Sequence, residues 1–326
     1  MQPRHNADYR TLLWVCLALM VLVAQYARPQ WTYYLTWLSF YFAMTCGIIA
    51  HNHNHCPVFA SRRVNYCFGH LLSIFYGYPT FVWVPTHNLN HHKHVNRAGD
   101  ATITWRFSDR HNLFVASTYF FVSAYFQADP VKTFIRKARE KNPRLYRRIQ
   151  MQYVIWIGSW LMLLVLAVGL YGLRPGIFLW LRAVALPSLF TLWVIMLFNY
   201  EQHVHTDPWS AHNHSRNFTS SSLNYLLFNN GFHGAHHEHP GMHWSELRAA
   251  HARIAHEIDD ELKQRSMWWY FAKQFVLAAV RPSWGTHQVG RAPFDSPNGH
   301  ALNLAADDVE LGEAGTNVNM TPGSVG

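Results

Sequence analysis

Three groups of histidines in this chain are spaced for metal binding. His51-Asn-His53-Asn-His55 sets His51 and His55 four residues apart. On a helix that step puts two imidazoles on one face, one turn apart, where they converge on a common ion. Pro57 ends such a helix within about a residue. His87-Asn-Leu-Asn-His91-His92-Lys-His94 repeats the step from His87 to His91 and adds His92, so that one helix addresses two ions. His233-Gly-Ala-His236-His237-Glu-His239 has the i, i+3, i+4 stripe, and Asn199-Tyr-Glu-Gln-His203, followed by His205, again sets two ligating types four apart. Imidazole-rich sets suit zinc, copper, iron or nickel, so ligand type alone leaves the metal open.

The remaining histidines read differently. His5, His70, His111, His251, His256, His287 and His300 stand alone, and an isolated histidine in an apolar chain is ordinarily a hydrogen-bonded or interfacial residue. His53, His94, His205, His239, His212 and His214 sit within or beside the groups and read as ligands, partners of ligands or surface residues. Cys16, Cys46, Cys56 and Cys67 form no CxxC pair, which signals neither an iron-sulfur site nor a disulfide framework. They read as packing residues, although Cys56, next to the first group, is of a ligating type.

The elements that must position these groups are membrane helices. Half of the 326 residues are hydrophobic, and the apolar residues gather in long blocks. Four blocks, 11–27, 31–50, 151–171 and 177–198, reach the length of about 20 residues that a bilayer demands. They read as two helical hairpins in an all-α integral membrane protein, with a helical cap carrying the histidines. The net charge of +9 is concentrated between Lys132 and Arg148. Beside apolar spans that run reads as the cytoplasmic flank and not as a nucleic-acid surface. Both termini and all histidine groups are therefore expected in the cytoplasm, and Tyr26, Trp31, Tyr33 and Tyr34 at the outer interface. The first span, preceded by Arg4 and Arg10, is alternatively a signal peptide with a poor cleavage site. Arg182 falls within one to two turns of the outer end of the fourth span, where it can snorkel. The stretches 66–86 and 111–127, broken by Gly and Pro or by Ser and Thr, read as helices or turns in the interface. Residues 1–280 are expected to form one membrane-embedded domain, and 281–326 a disordered tail.

HNHNH, HNLNHH and HGAHH, in this order, resemble the three histidine boxes of the membrane fatty acid desaturases. The resemblance covers roughly residues 50–244 and includes Asn199 to His203, which is similar to that family's extra NxxxH element. It implies that His51, His55, His87, His91, His92, His203, His233, His236 and His237 bind two irons, with Asn199 acting through water. It further implies O2 as co-substrate and removal of two hydrogens from an acyl chain. The second box has three residues before its HH where many members have two, and His53, His94 and His239 are surplus. A hydroxylase or ketolase acting on an alkane, fatty acid, sterol or carotenoid would use the same irons. With no dinucleotide fingerprint and no iron-sulfur cysteines, electrons must come from a separate ferredoxin, rubredoxin or cytochrome b5-type protein. A metal transporter or metal-binding sensor is the reading from another class, but a transporter's ligands belong near mid-membrane, where these spans are nearly free of His, Asp and Glu.

Overall fold

The computed structural model describes residues 2–296, which are mostly helical. Contacts divide the chain into a first unit, Met1–Val84 with Ile135–Ile195, and a second, Pro85–Phe134 with Met196–Glu310, each taken here as far as the described residues go.

The first unit holds α1 (Asp8–Ala27), α2 (Thr32–His55), α3 (Arg62–Tyr76), α5 (Pro143–Tyr171) and α6 (Leu173–Trp180). The helix α4 (Leu113–Lys141) and the helix α7 (Leu186–His203) each have residues in both units. Four helical stretches, Asp8–Ala27, Pro29–His55, Pro143–Tyr171 and Leu173–His203, are long and apolar enough to cross a membrane. They coincide with the four blocks expected from the sequence. Their ends differ for local reasons. α5 starts eight residues early because Asn142 caps it, accepting from the Leu145 amide at 3.0 Å, and Pro143 sits in the first turn, where it is tolerated. α2 runs on to His55, and Cys56 and Pro57 end it.

Several polar groups inside this unit are paired. Gln25 Nε2 donates to Ser39 Oγ at 2.7 Å, joining α1 to α2. Tyr26 Oη donates to Leu163 O at 3.0 Å, over a core of Ala167, Leu179, Ala183 and Val184. Arg182, on the π segment Leu181–Ala185, donates Nε to Thr36 Oγ1 at 3.1 Å, and its guanidinium lies about 5 Å from the rings of Tyr33 and Phe178. The charge therefore has neighbours within the fold that snorkelling alone does not supply.

At Gly47 α2 packs closely against α7. A Cβ there would stand 2.5 Å from Ile195 Cδ1 and 3.0 Å from Thr191 Cγ2 and Tyr76 Cδ2. Gly47→Leu is expected to cost about 1–3 kcal/mol through overpacking, and Gly47→Ala less. Thermal unfolding of the detergent-purified protein checks this, and an unchanged midpoint for Gly47→Leu would contradict the close contact.

The stretches 66–86 and 111–127 are helical in part, within α3 and α4, and neither is among the four spanning candidates. In the second unit a parallel pair of two-residue strands, β1 (Asn217–Phe218) and β2 (Lys263–Gln264), pins the chain between α7 and the third histidine group. Of the expected tail, residues 281–296 are tied back to 205–209. Val289 N donates to His205 O at 3.1 Å and Trp209 Nε1 to Ala292 O at 3.1 Å. Residues 297–326 lie outside the described residues.

Candidate metal centre

The second histidine group is a π-helix, Val84–His91, that passes into an α turn at His92–His94. A 4-residue step was expected to pair His87 with His91. The wider π turn instead brings together residues five apart. His92 Nε2 stands 3.1 Å from His87 Nε2 and 3.1 Å from His236 Nε2, while His91 turns to a different set of partners. One short segment thus serves two clusters, as expected, but by another geometry.

His91, His203, His233 and His237 form the first cluster. Each offers one ring nitrogen, and the four atoms lie within 4.8 Å of one another. His233 Nε2 is 3.0 Å from His203 Nε2 and 3.1 Å from His237 Nε2. The donor chemistry fits a metal. His91 donates Nδ1–H to Asp100 Oδ2 at 2.8 Å, which leaves Nε2 with its lone pair, buried and without a hydrogen-bond partner. His203 likewise places Nδ1 3.2 Å from His214 O and turns Nε2 to the cluster. Burial, and then the neighbouring His92, His233, His91 and His203, hold His237 well below the usual imidazole pKa, so it is neutral as a ligand must be.

His51 and His55 lie in the first unit on the last turns of α2. Both are buried, with ring centroids 4.9 Å apart and His51 edge-on to Trp83 at 5.0 Å. The intervening asparagine, Asn54, donates to Ala50 O at 2.7 Å and Thr80 O at 3.3 Å, which fixes this helix end. Asn199 donates its amide to Tyr119 Oη at 3.0 Å.

The surplus histidines have structural partners. His53 ring nitrogens face Asn65 O at 3.2 Å and the Val58 amide at 3.3 Å. His94 packs on Gly99, where a Cβ would fall 2.8 Å from His94 Cε1. His205 Nδ1 pairs with Thr286 Oγ1 at 2.9 Å and its ring abuts His111, whose Nδ1 is 2.8 Å from Tyr200 Oη. Burial lowers His205 to about 3 and His111 to about 4. His212 lies 2.8 Å from Glu238 Oε1, and His214 Nδ1 2.8 Å from Ser215 Oγ. His239 caps the short helix α8 (His233–Glu238). Cys56 Sγ is 3.9 Å from His5 Nε2, and all four cysteines are free thiols.

Sequence reading missed the residues that hold the ligands. The loop after His92 turns through Val95 and Asn96, both at positive φ, and returns Asp100 to His91. Asn90 clamps it, donating to Gly99 O at 2.8 Å and accepting from Ala101 N at 2.7 Å. Asn96 donates to His203 O at 3.0 Å, coupling the loop to α7. Arg216, fully buried, donates Nη1 to Glu201 O at 2.8 Å and Val204 O at 2.7 Å, closing the end of α7 just where His203 sits. Asn217 Oδ1 accepts from Gly234 N at 3.0 Å, seating the start of α8. Gly231 lets that turn lie against β1, since a Cβ would fall 2.2 Å from Phe218 O.

Residues 29–287 match the family model described as Fatty acid desaturase. The chain belongs to the fatty acid desaturase family. The match takes in all three histidine boxes, the Asn199–His203 element and three of the four helices long and apolar enough to span a membrane, α1 lying before it. Among curated proteins and among solved structures the comparisons returned no match. As a member of the fatty acid desaturase family the chain is placed among oxidoreductases that act on fatty acids. Its histidine clusters are able to hold metal.

Proposed function

We propose that this protein is an O2-dependent fatty acyl desaturase. The observation that carries the reading is the buried set of His91, His203, His233 and His237, every member of which comes from a family histidine box or from the NxxxH element. Together with His51, His55, His87, His92 and His236 these residues are proposed to bind two irons, and Asn199 to act through water. Bound there, two irons supply the oxygen chemistry that removes hydrogen from an unactivated methylene, which no side chain does unaided. The chain's own residues do the rest. Asp100 and Thr102 fix the His91 ring, and Arg216 and Asn217 fix the backbone at His203 and His233. Burial of the cluster keeps bulk water from the reacting carbon.

Electrons are proposed to come from a separate ferredoxin, rubredoxin or cytochrome b5-type carrier, with Lys132, Arg136, Lys137 and Arg139 of α4 as an attractive surface for an acidic one. The same basic run supports cytoplasmic termini and histidine boxes, with α1, α2, α5 and α6–α7 crossing the membrane as two hairpins.

Expression in a host with a compatible carrier, followed by mass spectrometry of total lipid against a His236→Ala control, tests the reading. An acyl chain lighter by two hydrogens, and absent from the control, is the expected product. A product heavier by one oxygen would replace desaturase by hydroxylase, acting on whichever fatty acid, alkane, sterol or carotenoid carries it.

A further inference from the structure

The second unit bears an apolar face that the pattern of long hydrophobic blocks did not single out. Met267–Phe271, Ala272–Leu277 and Ala278–Val280 form one helical run whose middle portion is π, followed by a 3-10 turn at Pro282–Trp284. Ser266 caps its start, accepting from the Trp269 amide. The inner side is anchored. Met267, Tyr270, Gln274 and Phe275 are buried, Tyr270 lies 4.3 Å beneath the Arg216 guanidinium, and Gln274 Oε1 accepts from Thr286 N at 2.6 Å. The outer side exposes Trp268, Trp269, Val276, Val280 and Trp284, with Val280 89% exposed.

Positions 268, 272, 276, 280 and 284 are spaced by four, a stripe that would drift around a regular α-helix. The wider π turn rotates less per residue and draws the stripe back into line. Leaving such side chains in water forgoes the gain that burying their apolar surface would bring. An occupant is therefore expected, and the sequence around the face says which. From Arg265 to Arg291 the chain holds Arg265, Lys273, Arg281 and Arg291 and no Asp or Glu. Tryptophans stand at both ends of the stripe, as in segments lying at a membrane–water interface. The helical run is shorter than the roughly 17 residues needed to cross a bilayer, and it carries Lys273, so it lies on a membrane and does not span it. The four spanning helices of the same chain tether this unit to a bilayer.

We propose that Trp268–Trp284 is an interfacial anchor, its apolar stripe seated at the headgroup–acyl boundary and Arg265, Lys273 and Arg281 among anionic headgroups. The inference rests on the membrane-spanning helices and not on the reaction proposed above.

The test uses the full chain with Cys16, Cys46, Cys56 and Cys67 changed to Ser and a single spin-labelled cysteine at Val276, Val280 or, as a water-facing reference, Arg253. The protein is reconstituted into phosphatidylcholine bilayers with or without phosphatidylglycerol. Labels at 276 and 280 are expected to collide with oxygen in severalfold preference to a nickel chelate relative to the label at 253, the more so with phosphatidylglycerol present. Lys273→Glu with Arg281→Glu is expected to remove that lipid dependence. Nickel-dominated collisions at 276 and 280 would overturn the proposal, as would shielding from both reagents, which would mean cover by a second copy or by the residues after 296. If the cysteine-free chain does not fold, quenching of tryptophan fluorescence by brominated lipid decides. The quenched fraction should fall when Trp268, Trp269 and Trp284 become Phe, and an unchanged fraction would overturn the anchor.

Discussion

Changing His237 to alanine is expected to abolish lipid product and to strip iron from the purified protein, while the metal-free protein unfolds at the same temperature or higher. The reason lies in the cluster itself. His237 is one of four imidazoles whose ring nitrogens lie within 4.8 Å of each other, and its Nε2 stands 3.1 Å from that of His233. Burial and four neighbouring imidazoles hold it far below its ordinary pKa, so without metal it is a desolvated polar ring that contributes little to folding. With metal it contributes a bond. A ligand that binds only the folded state stabilises by about 4 kcal/mol at a thousand times its dissociation constant. The wild-type chain should therefore gain apparent Tm on iron loading, and the His237→Ala chain should gain far less. Loss of a direct ligand should exceed the 10–100-fold drop in metal affinity typical when an outer partner is removed. Iron content at the wild-type level, with an undiminished Tm gain, would remove His237 from the ligand set.

Much of this centre was legible because it is periodic. The i, i+4 step of His51 and His55 and the i, i+3, i+4 step of His233, His236 and His237 both fall on helices, α2 and α8, whose ends Cys56–Pro57 and His239–Pro240 mark in the sequence. The four helices long and apolar enough to cross a membrane were legible for the same reason, being long runs of one solvent preference. The second box was read on a four-residue step, and the structure gives it a π turn. Nothing in His87-Asn-Leu-Asn-His91-His92 distinguishes a π-helix from an α-helix, and the choice is made by partners far along the chain, His236 for His92 and His203 for His91. The interfacial segment at 268–284 escaped because Lys273 and Arg281 break its hydrophobicity below the level of a span.

The supporting residues were illegible for a different reason. Asp100, Asn90, Asn96, Arg216 and Asn217 act across loops, where contact follows from closure of the chain and not from any spacing along it. The only local hint was composition. Asn and Gly punctuate 96–100, and such residues take the positive φ angles that let a loop double back, as Asn96 at +59° and Gly99 at +97° do. A loop so shaped has no evident purpose in a sequence until the carboxylate at its end is seen to meet a ligand.

That carboxylate supports the second large expectation, that Asp100→Asn weakens iron binding by about 10–100-fold without removing any ligand. Asp100 is fully enclosed. Burial alone would raise its pKa, yet its interaction and hydrogen bond with His91 and the bonds from Thr102 outweigh burial and hold it well below the usual carboxylate range. Its Oδ2 accepts from His91 Nδ1 at 2.8 Å and Asn96 N at 2.7 Å, and its Oδ1 accepts from Thr102 N and Thr102 Oγ1, both at 2.7 Å. All four partners arrive as donors. Asparagine has one acceptor oxygen, so either orientation turns an NH2 group toward two donors and leaves them unmet, at about 1–3 kcal/mol for each buried group. If the amide faces Thr102, His91 keeps a neutral acceptor and loses the anion that makes its Nε2 a better donor to metal. If it faces His91, the ring loses the bond that selects its tautomer, and Nε2 takes the proton that excludes metal. Both arrangements weaken the site by way of His91. The check is an iron titration of the purified Asp100→Asn protein beside Asp100→Glu and Thr102→Val, read together with the unfolding midpoint of each metal-free chain. A purely structural role would lower the midpoint and leave the affinity of the folded fraction unchanged, and that result would end the assignment. An affinity loss in Asp100→Asn, smaller in Thr102→Val because the Asp100–His91 bond survives there, would identify Asp100 as the group that sets the basicity and tautomer of His91.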